Sequence, residues 1–137
     1  MNKNNHIFTK TRSIVQSDKM IIFAYMHGSA LNVPVRKDID IAIFLDFRYF
    51  EKITNDGSAD FDIAIPLELN IETELKKKVD VQILNNAPLP FRFEVVSKNV
   101  ILIDRQPELR EKFELLSRVE YFDFRPRLDE YLAEAAK

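Results

Sequence analysis

Four short apolar runs place the strongest limit on what this chain can fold into. Each run has the length of a single β-strand, and stretches of helical character separate the runs. Strands that alternate with helices predict an α/β (α+β) protein in which helices flank a small mixed sheet. We predict the strands at 20–25, 38–46, 79–84 and 100–103.

Apolar residues at helical spacing predict the segments between and around the strands. The expected helices are 6–17, a short one at 29–32, a turn at 47–53, one from about 58 or 60 to 75, 91–97, and a long one at about 107–135. A turn is expected at 55–58. The helix that ends at 75 is expected to bury Ile63, Leu67, Ile71 and Leu75, with Ile65 and Leu69 widening the same face. The last helix is expected to pack through Leu109, Phe113, Leu116 and either Val119 or Glu120.

Length and composition narrow the class of protein. The chain has 137 residues, which suits one domain over 1–137, and 46% of them are hydrophobic. It has no cysteine and no apolar run of membrane-spanning length, so we expect a cytoplasmic protein without a membrane partner. The net charge of −2 argues against a broad basic face, and direct nucleic-acid binding is therefore not expected.

Three aspartates are the first candidates for chemistry. Asp38 and Asp40 are two residues apart on a predicted strand, so their carboxylates project from the same face. Two carboxylates this close repel each other unless a divalent cation such as Mg²⁺ or Mn²⁺ neutralises them. Asp80 lies within a later apolar strand, where burial would require a partner, and the same metal could provide one. The alternative interpretation is that all three are solvated acids at the ends or edges of strands.

Gly28 and Ser29 follow the first predicted strand directly, and Gly28 is one of only two glycines in the chain. Such a turn can present backbone N–H groups and a hydroxyl to an anion, and glycine lets a phosphate approach the main chain. An ordinary turn is the competing interpretation. Of the neighbouring residues, His27 is expected to be structural, whereas Arg36 and Lys37 are either triphosphate contacts or solvated loop charges.

The segment from His27 through Gly28-Ser29 to Asp38-Ile-Asp40 resembles the signature of the DNA polymerase β-like nucleotidyltransferase superfamily. Within that superfamily, the small chain resembles the minimal nucleotidyltransferases, the MntA-type antitoxins encoded beside HEPN-domain toxins. The resemblance covers most of the sequence. It includes the strand with Asp80, the Ala87-Pro88 loop and the C-terminal segment 120–126.

This resemblance implies a polymerase β-like fold and a role for each candidate residue. Gly28 and Ser29 would hold the β- and γ-phosphates of ATP, and Asp38 and Asp40 would bind two Mg²⁺ ions. Asp80 would complete one metal shell and help to activate the attacking hydroxyl. The implied reaction is transfer of AMP to a tyrosine hydroxyl of a partner HEPN ribonuclease toxin, which neutralises the toxin.

Two alternatives stay open from the sequence. Only eight residues separate Ser29 from Asp38, fewer than the superfamily usually has, and this favours a catalytically weak or silent antitoxin that neutralises its partner by binding alone. The other alternative keeps the enzyme but gives it a small-molecule acceptor. The absence of a second predicted domain argues mildly against that acceptor.

Overall fold

The computed structural model describes residues 3–28 and 38–135, and each of the four apolar runs forms a strand in it. The predicted short helix at 29–32 lies outside the described residues. The elements are α1 (Lys3–Gln16), β1 (Ile21–His27), β2 (Ile39–Leu45), α2 (Phe47–Asp56), a π-helical turn (Asp60–Ala64), α3 (Ile65–Leu75), β3 (Val79–Ile83), α4 (Leu89–Ser97), β4 (Asn99–Asp104) and α5 (Pro107–Ala135).

The four strands form one mixed sheet in the order β3-β2-β1-β4. β1 pairs antiparallel with both β2 and β4, whereas β2 and β3 run parallel. The parallel pair requires a long crossover, which is built from α2, the π-helical turn and α3. The predicted fold class, a small mixed sheet flanked by helices, is confirmed.

Alternation along the strands divides the core into two layers. On one face, the isoleucines of β2 and the valines of β3 pack with α1 and α3. On the other face, Phe23 and Tyr25 of β1 pack with residues of α4 and α5. Asp40, Asp80 and Gln82 point to this second face, because they alternate with the buried residues of β2 and β3. None of the described helices covers β3 on this face, so Asp80 and Gln82 are exposed and Asp40 is half-buried.

The outer edge of β3 is protected by two carboxylates of α3. Val81 N donates a hydrogen bond to Glu68 Oε1 at 2.8 Å, and Val79 N donates one to Glu72 Oε2 at 3.0 Å. These bonds satisfy backbone donors that an edge strand otherwise leaves open. The two glutamates are four residues apart and therefore share one face of α3.

Two predicted helical faces are wrong in part. Ile65 and Leu69 are exposed, because α3 buries Leu67 and Ile71 and turns its adjoining face, with Glu68, toward the edge of β3. In α5, Leu116 and Val119 are exposed as well. That helix instead packs through Leu109, Phe113, Ser117 and Tyr121, where Tyr121 stacks on Phe93 of α4 at 3.9 Å between ring centroids. The turn predicted at 55–58 is also shorter than expected, because α2 continues to Asp56.

Arg105 joins the first helix to the end of the sheet. Its guanidinium donates hydrogen bonds to the main-chain oxygens of Gln16, Asp18 and Ile21, and its own N–H donates to Ile22 O. The cation therefore lies at the C-terminal end of α1, where the helix dipole favours positive charge. In the described parts of the chain, no helix combines the length and the apolar character needed to cross a bilayer.

Candidate active site

Three polar residues form a row across the end of the sheet. Asp40 of β2 is the register partner of His27 in β1 on one side and of Asp80 in β3 on the other. Directly paired residues carry their side chains on the same face of a sheet. The fold thus brings Asp40 and Asp80 side by side, although 39 residues lie between them in the chain.

The main chain at Gly28 lies directly against Asp40 in this row. It follows β1 with a φ of +80°, a region that residues with a Cβ rarely adopt. A Cβ built on Gly28 would overlap Asp40 Oδ2 and lie 3.2 Å from Asp40 Cγ. The backbone and the carboxylate therefore approach each other closely only because residue 28 is glycine.

Asp38 precedes β2, two residues before Asp40, and is exposed. It acts electrostatically on Asp40, so the two acids are neighbours in space as well as in sequence. Ser29, Arg36 and Lys37 fall within 29–37, outside the described residues. Their expected contacts with phosphate stay predictions.

Burial shifts the pKa values of Asp40 and His27 in opposite directions, because it disfavours the charged form of each side chain. Burial raises the pKa of Asp40, and the negative charges of Asp80 and Asp38 raise it further, whereas His27 lowers it. Burial lowers the pKa of His27 below 6.5 despite the nearby acids. The His27 ring is 9% exposed and meets the Phe91 ring edge-on at 5.6 Å, and its Nε2 has no hydrogen-bond partner. This packing agrees with a structural role for His27.

Asp80 is exposed, so burial does not by itself require a counter-charge for this residue. Its carboxylate is nevertheless oriented, because Gln82 Nε2 donates to both oxygens at 3.2 and 3.0 Å. Sequence reasoning did not single out Gln82, although its place two residues after Asp80 on a strand was a usable signal. It also missed Glu94 of α4, whose charge acts on both Asp40 and His27. No motif marks Glu94.

The donor set suits a Mg²⁺ ion that arrives with a nucleotide. Among residues 3–28 and 38–135, no three acidic or histidine groups are gathered into a ready-made metal cage. Mg²⁺ in nucleotide sites, however, commonly takes one or two carboxylates and completes its shell with phosphate oxygens and water. Asp40 and Asp80, with Asp38 beside them, provide such carboxylates, and a bound cation would offset both the partial burial of Asp40 and its repulsion by the neighbouring acids.

Comparison with known proteins agrees with this arrangement. The model of the family described as polymerase beta, nucleotidyltransferase matches residues 9–108, a span that contains Gly28 and all three aspartates. A search of curated proteins finds no match.

Three solved structures share the fold across nearly the whole chain. One is the complex of tri-AMPylated Shewanella oneidensis HEPN toxin with MNT antitoxin, with a TM-score of 0.74, 16% identity, and coverage of 98% of this chain and 99% of the other. The toxin–antitoxin MntA-HepT has a TM-score of 0.73, 16% identity, and coverage of 97% and 99%. A toxin–antitoxin structure with AMP-PNP has a TM-score of 0.74, 17% identity, and coverage of 95% and 98%. At this identity the structures show a common fold, and with the family match they establish that the chain belongs to the polymerase β nucleotidyltransferase family.

Proposed function

We propose that this protein transfers AMP from ATP to a tyrosine hydroxyl of a HEPN toxin and thereby acts as that toxin's antitoxin. The observation that carries the proposal is that Asp40 and Asp80 are paired on adjacent strands while Gly28 lies against the Asp40 carboxylate. Paired carboxylates beside a glycine turn are the kind of site that phosphoryl and nucleotidyl transfer use.

Each group in the row has a distinct part in the reaction. Gly28 lets the Asp40 carboxylate lie against the main chain, and with Ser29 it would hold the β- and γ-phosphates, as the family resemblance implies. Asp38, Asp40 and Asp80 would hold Mg²⁺, which supplies charge stabilisation for the attacking and leaving oxygens. The acceptor oxygen forms a bond to the α-phosphorus, the bond to the bridging oxygen breaks, and pyrophosphate leaves. Asp80, whose carboxylate accepts hydrogen bonds from Gln82, would help to activate the attacking hydroxyl by taking its proton.

The protein acceptor is supported by the structural relatives. One of them contains an AMPylated HEPN toxin with its MNT antitoxin, and another was solved with AMP-PNP. The same fold at the same chain length suggests the same type of partner here. We place the reaction in the cytoplasm, where ATP is available to the enzyme.

Label transfer tests this proposal directly. ATP labelled at the α-phosphate is incubated with Mg²⁺, this protein and a candidate HEPN partner protein. We expect label on the HEPN protein, and a loss of about 10²–10³-fold in the Asp40→Asn variant, as is typical when one charge-stabilising group is removed. Asp56→Asn, which changes an exposed acid at the end of α2, is the matched control and should transfer label normally.

The same experiment separates the alternatives that the sequence left open. If the HEPN protein is neutralised without receiving label, the protein is a binding-only antitoxin. If neither label nor neutralisation appears, the HEPN acceptor is wrong. Transfer that survives Asp40→Asn would refute the assignment of the row as the reaction centre.

A further inference from the structure

We propose that the cleft beside Asp80 is the acceptor subsite and holds the phenol ring of the tyrosine that receives AMP. This inference rests on the proposed function and extends it to the side chains that select the acceptor. The cleft has a volume of about 370 Å³ and lies between β3, the loop that follows it and the start of the π-helical turn. Its lining includes Asp60, Gln82, Asn86, Pro88 and Phe91.

The order of groups across the sheet decides where an acceptor enters. Gly28, where the proposed function puts the triphosphate, follows β1, and Asp80 lies on β3, with Asp40 of β2 between them. In an in-line displacement the attacking oxygen and the leaving pyrophosphate lie on opposite sides of the phosphorus. If pyrophosphate leaves toward Gly28, the hydroxyl arrives from the side of β3.

The cleft is joined to the row at two points. Gln82 lines the cleft and holds the carboxylate of Asp80 through its amide. Phe91 lines the cleft and contacts the ring of His27. The cleft therefore adjoins the row on its β3 side, the side from which the in-line geometry brings the acceptor.

The lining suits a phenol better than a nucleic-acid hydroxyl. The Phe91 ring and the Pro88 ring supply apolar walls, and the amides of Gln82 and Asn86 supply polar contacts. A tyrosine side chain matches this division, because it has an apolar ring with a polar tip. The described residues that line the cleft include the acidic Asp60 and no lysine or arginine, so a phosphate backbone would be repelled.

The surface next to the cleft favours a protein that carries the tyrosine over a free small molecule. Asp60 is followed by Phe61, which is 73% exposed, and Ile65 and Leu69 continue an exposed apolar stripe at four-residue spacing. The segment 53–75 has six acidic residues and no basic ones. The matching partner surface is apolar and basic around its tyrosine.

A variant that fills the cleft tests the inference. Asn86→Trp places a large ring at an exposed lining position, whereas Asn70→Trp makes the same change at an exposed position of α3 that is not part of the lining. We expect Asn86→Trp to lower AMP transfer to the HEPN protein by about tenfold or more, because the acceptor oxygen is displaced. The Kd for ATP with Mg²⁺ should change less than about twofold, and Asn70→Trp should change neither value.

A second measurement does not depend on AMP transfer. N-acetyl-tyrosinamide is titrated into ¹⁵N-labelled protein, and we expect amide shifts at Ala87 and Phe91 in the native chain that disappear in Asn86→Trp. Normal transfer by Asn86→Trp, or an equal loss of ATP affinity and transfer, would overturn the acceptor subsite. If the native chain transfers no AMP but tyrosinamide still shifts these amides, the proposed function fails while the tyrosine-binding cleft stands.

Discussion

The two glycines of the chain allow a matched test of the site's geometry. In Gly28→Ala, the alanine must keep the positive φ of residue 28, which costs about 1–2 kcal/mol for a residue with a side chain. It also forces the Asp40 carboxylate away, and moving that side chain off its rotamer costs about 0.5–1.5 kcal/mol more. We expect a loss of about 2–3 kcal/mol in the free energy of unfolding, or about 6–12 °C in Tm for a domain of this size.

Activity should respond more strongly than stability to the same change. A shift of about 1 Å in a catalytic group commonly reduces the rate about 10²-fold, so Gly28→Ala should reduce AMP transfer by that factor even at temperatures where the protein is folded. Gly57→Ala is the control. There φ is −178°, and a Cβ would meet its nearest neighbours at 3.7 and 3.8 Å, so both stability and transfer should stay close to native.

Urea unfolding and label transfer, measured on both variants, decide the question. Adding Asp40→Ala removes the clash partner, and in that background the cost of Gly28→Ala should fall to the backbone cost of about 1–2 kcal/mol. If Gly28→Ala and Gly57→Ala behave alike, or if Asp40→Ala leaves the cost unchanged, the close approach of main chain and carboxylate is not what residue 28 provides.

Four further outcomes follow from the described contacts. Burial and neighbouring acids raise the pKa of Asp40, so its ionised form destabilises the metal-free fold. Asp40→Asn should therefore raise the Tm at neutral pH and abolish the further rise in Tm that Mg²⁺ and ATP cause. A lower Tm for the variant would contradict this. Because burial lowers the pKa of His27, the free energy of unfolding should fall as the pH drops below 6.5. If urea titrations of His27→Phe show the same fall, His27 is not its cause. Glu68→Ala exposes a backbone donor of β3 and should cost about 1–3 kcal/mol, whereas Glu74→Ala loses only an exposed ion pair and should cost under about 0.5 kcal/mol. Arg105→Ala should cost about 2–3 kcal/mol, and hydrogen exchange should locate the loss in α1; uniform exchange across the chain would argue against the anchor.

Local patterns in the sequence were sufficient for the sheet and for part of the site. Short apolar runs have few ways to be buried, and all four proved to be strands. Strand alternation likewise predicted that Asp40 shares a face with its neighbouring acids. The chemistry of these residues is still a prediction that the proposed experiments test.

Features that depend on pairing between distant segments could not be read from the sequence. The register that places Asp80 beside Asp40 is set by how β3 packs on β2, and no local signal encodes it. The exposure of Leu69 has a similar origin, since the neighbouring face of α3 is used by Glu68 to cover the strand edge. Apolar residues at helical spacing can therefore stay exposed when a contact such as that of Glu68 with β3 fixes the rotation of the helix.

The two edges of the sheet differ in a way that limits how molecules of this protein can associate. Two donors of β3, Val79 N and Val81 N, already bond to carboxylates of α3, whereas β4 ends the sheet with Val100 and Ile101 exposed and, within 3–28 and 38–135, no strand beside its outer edge. A molecule with one open edge can join a second molecule through that edge, but the pair then has no free edge on which to add a third. Strand pairing would thus stop at a dimer and not continue into a fibre, because Glu68 and Glu72 occupy backbone donors that a further strand would need.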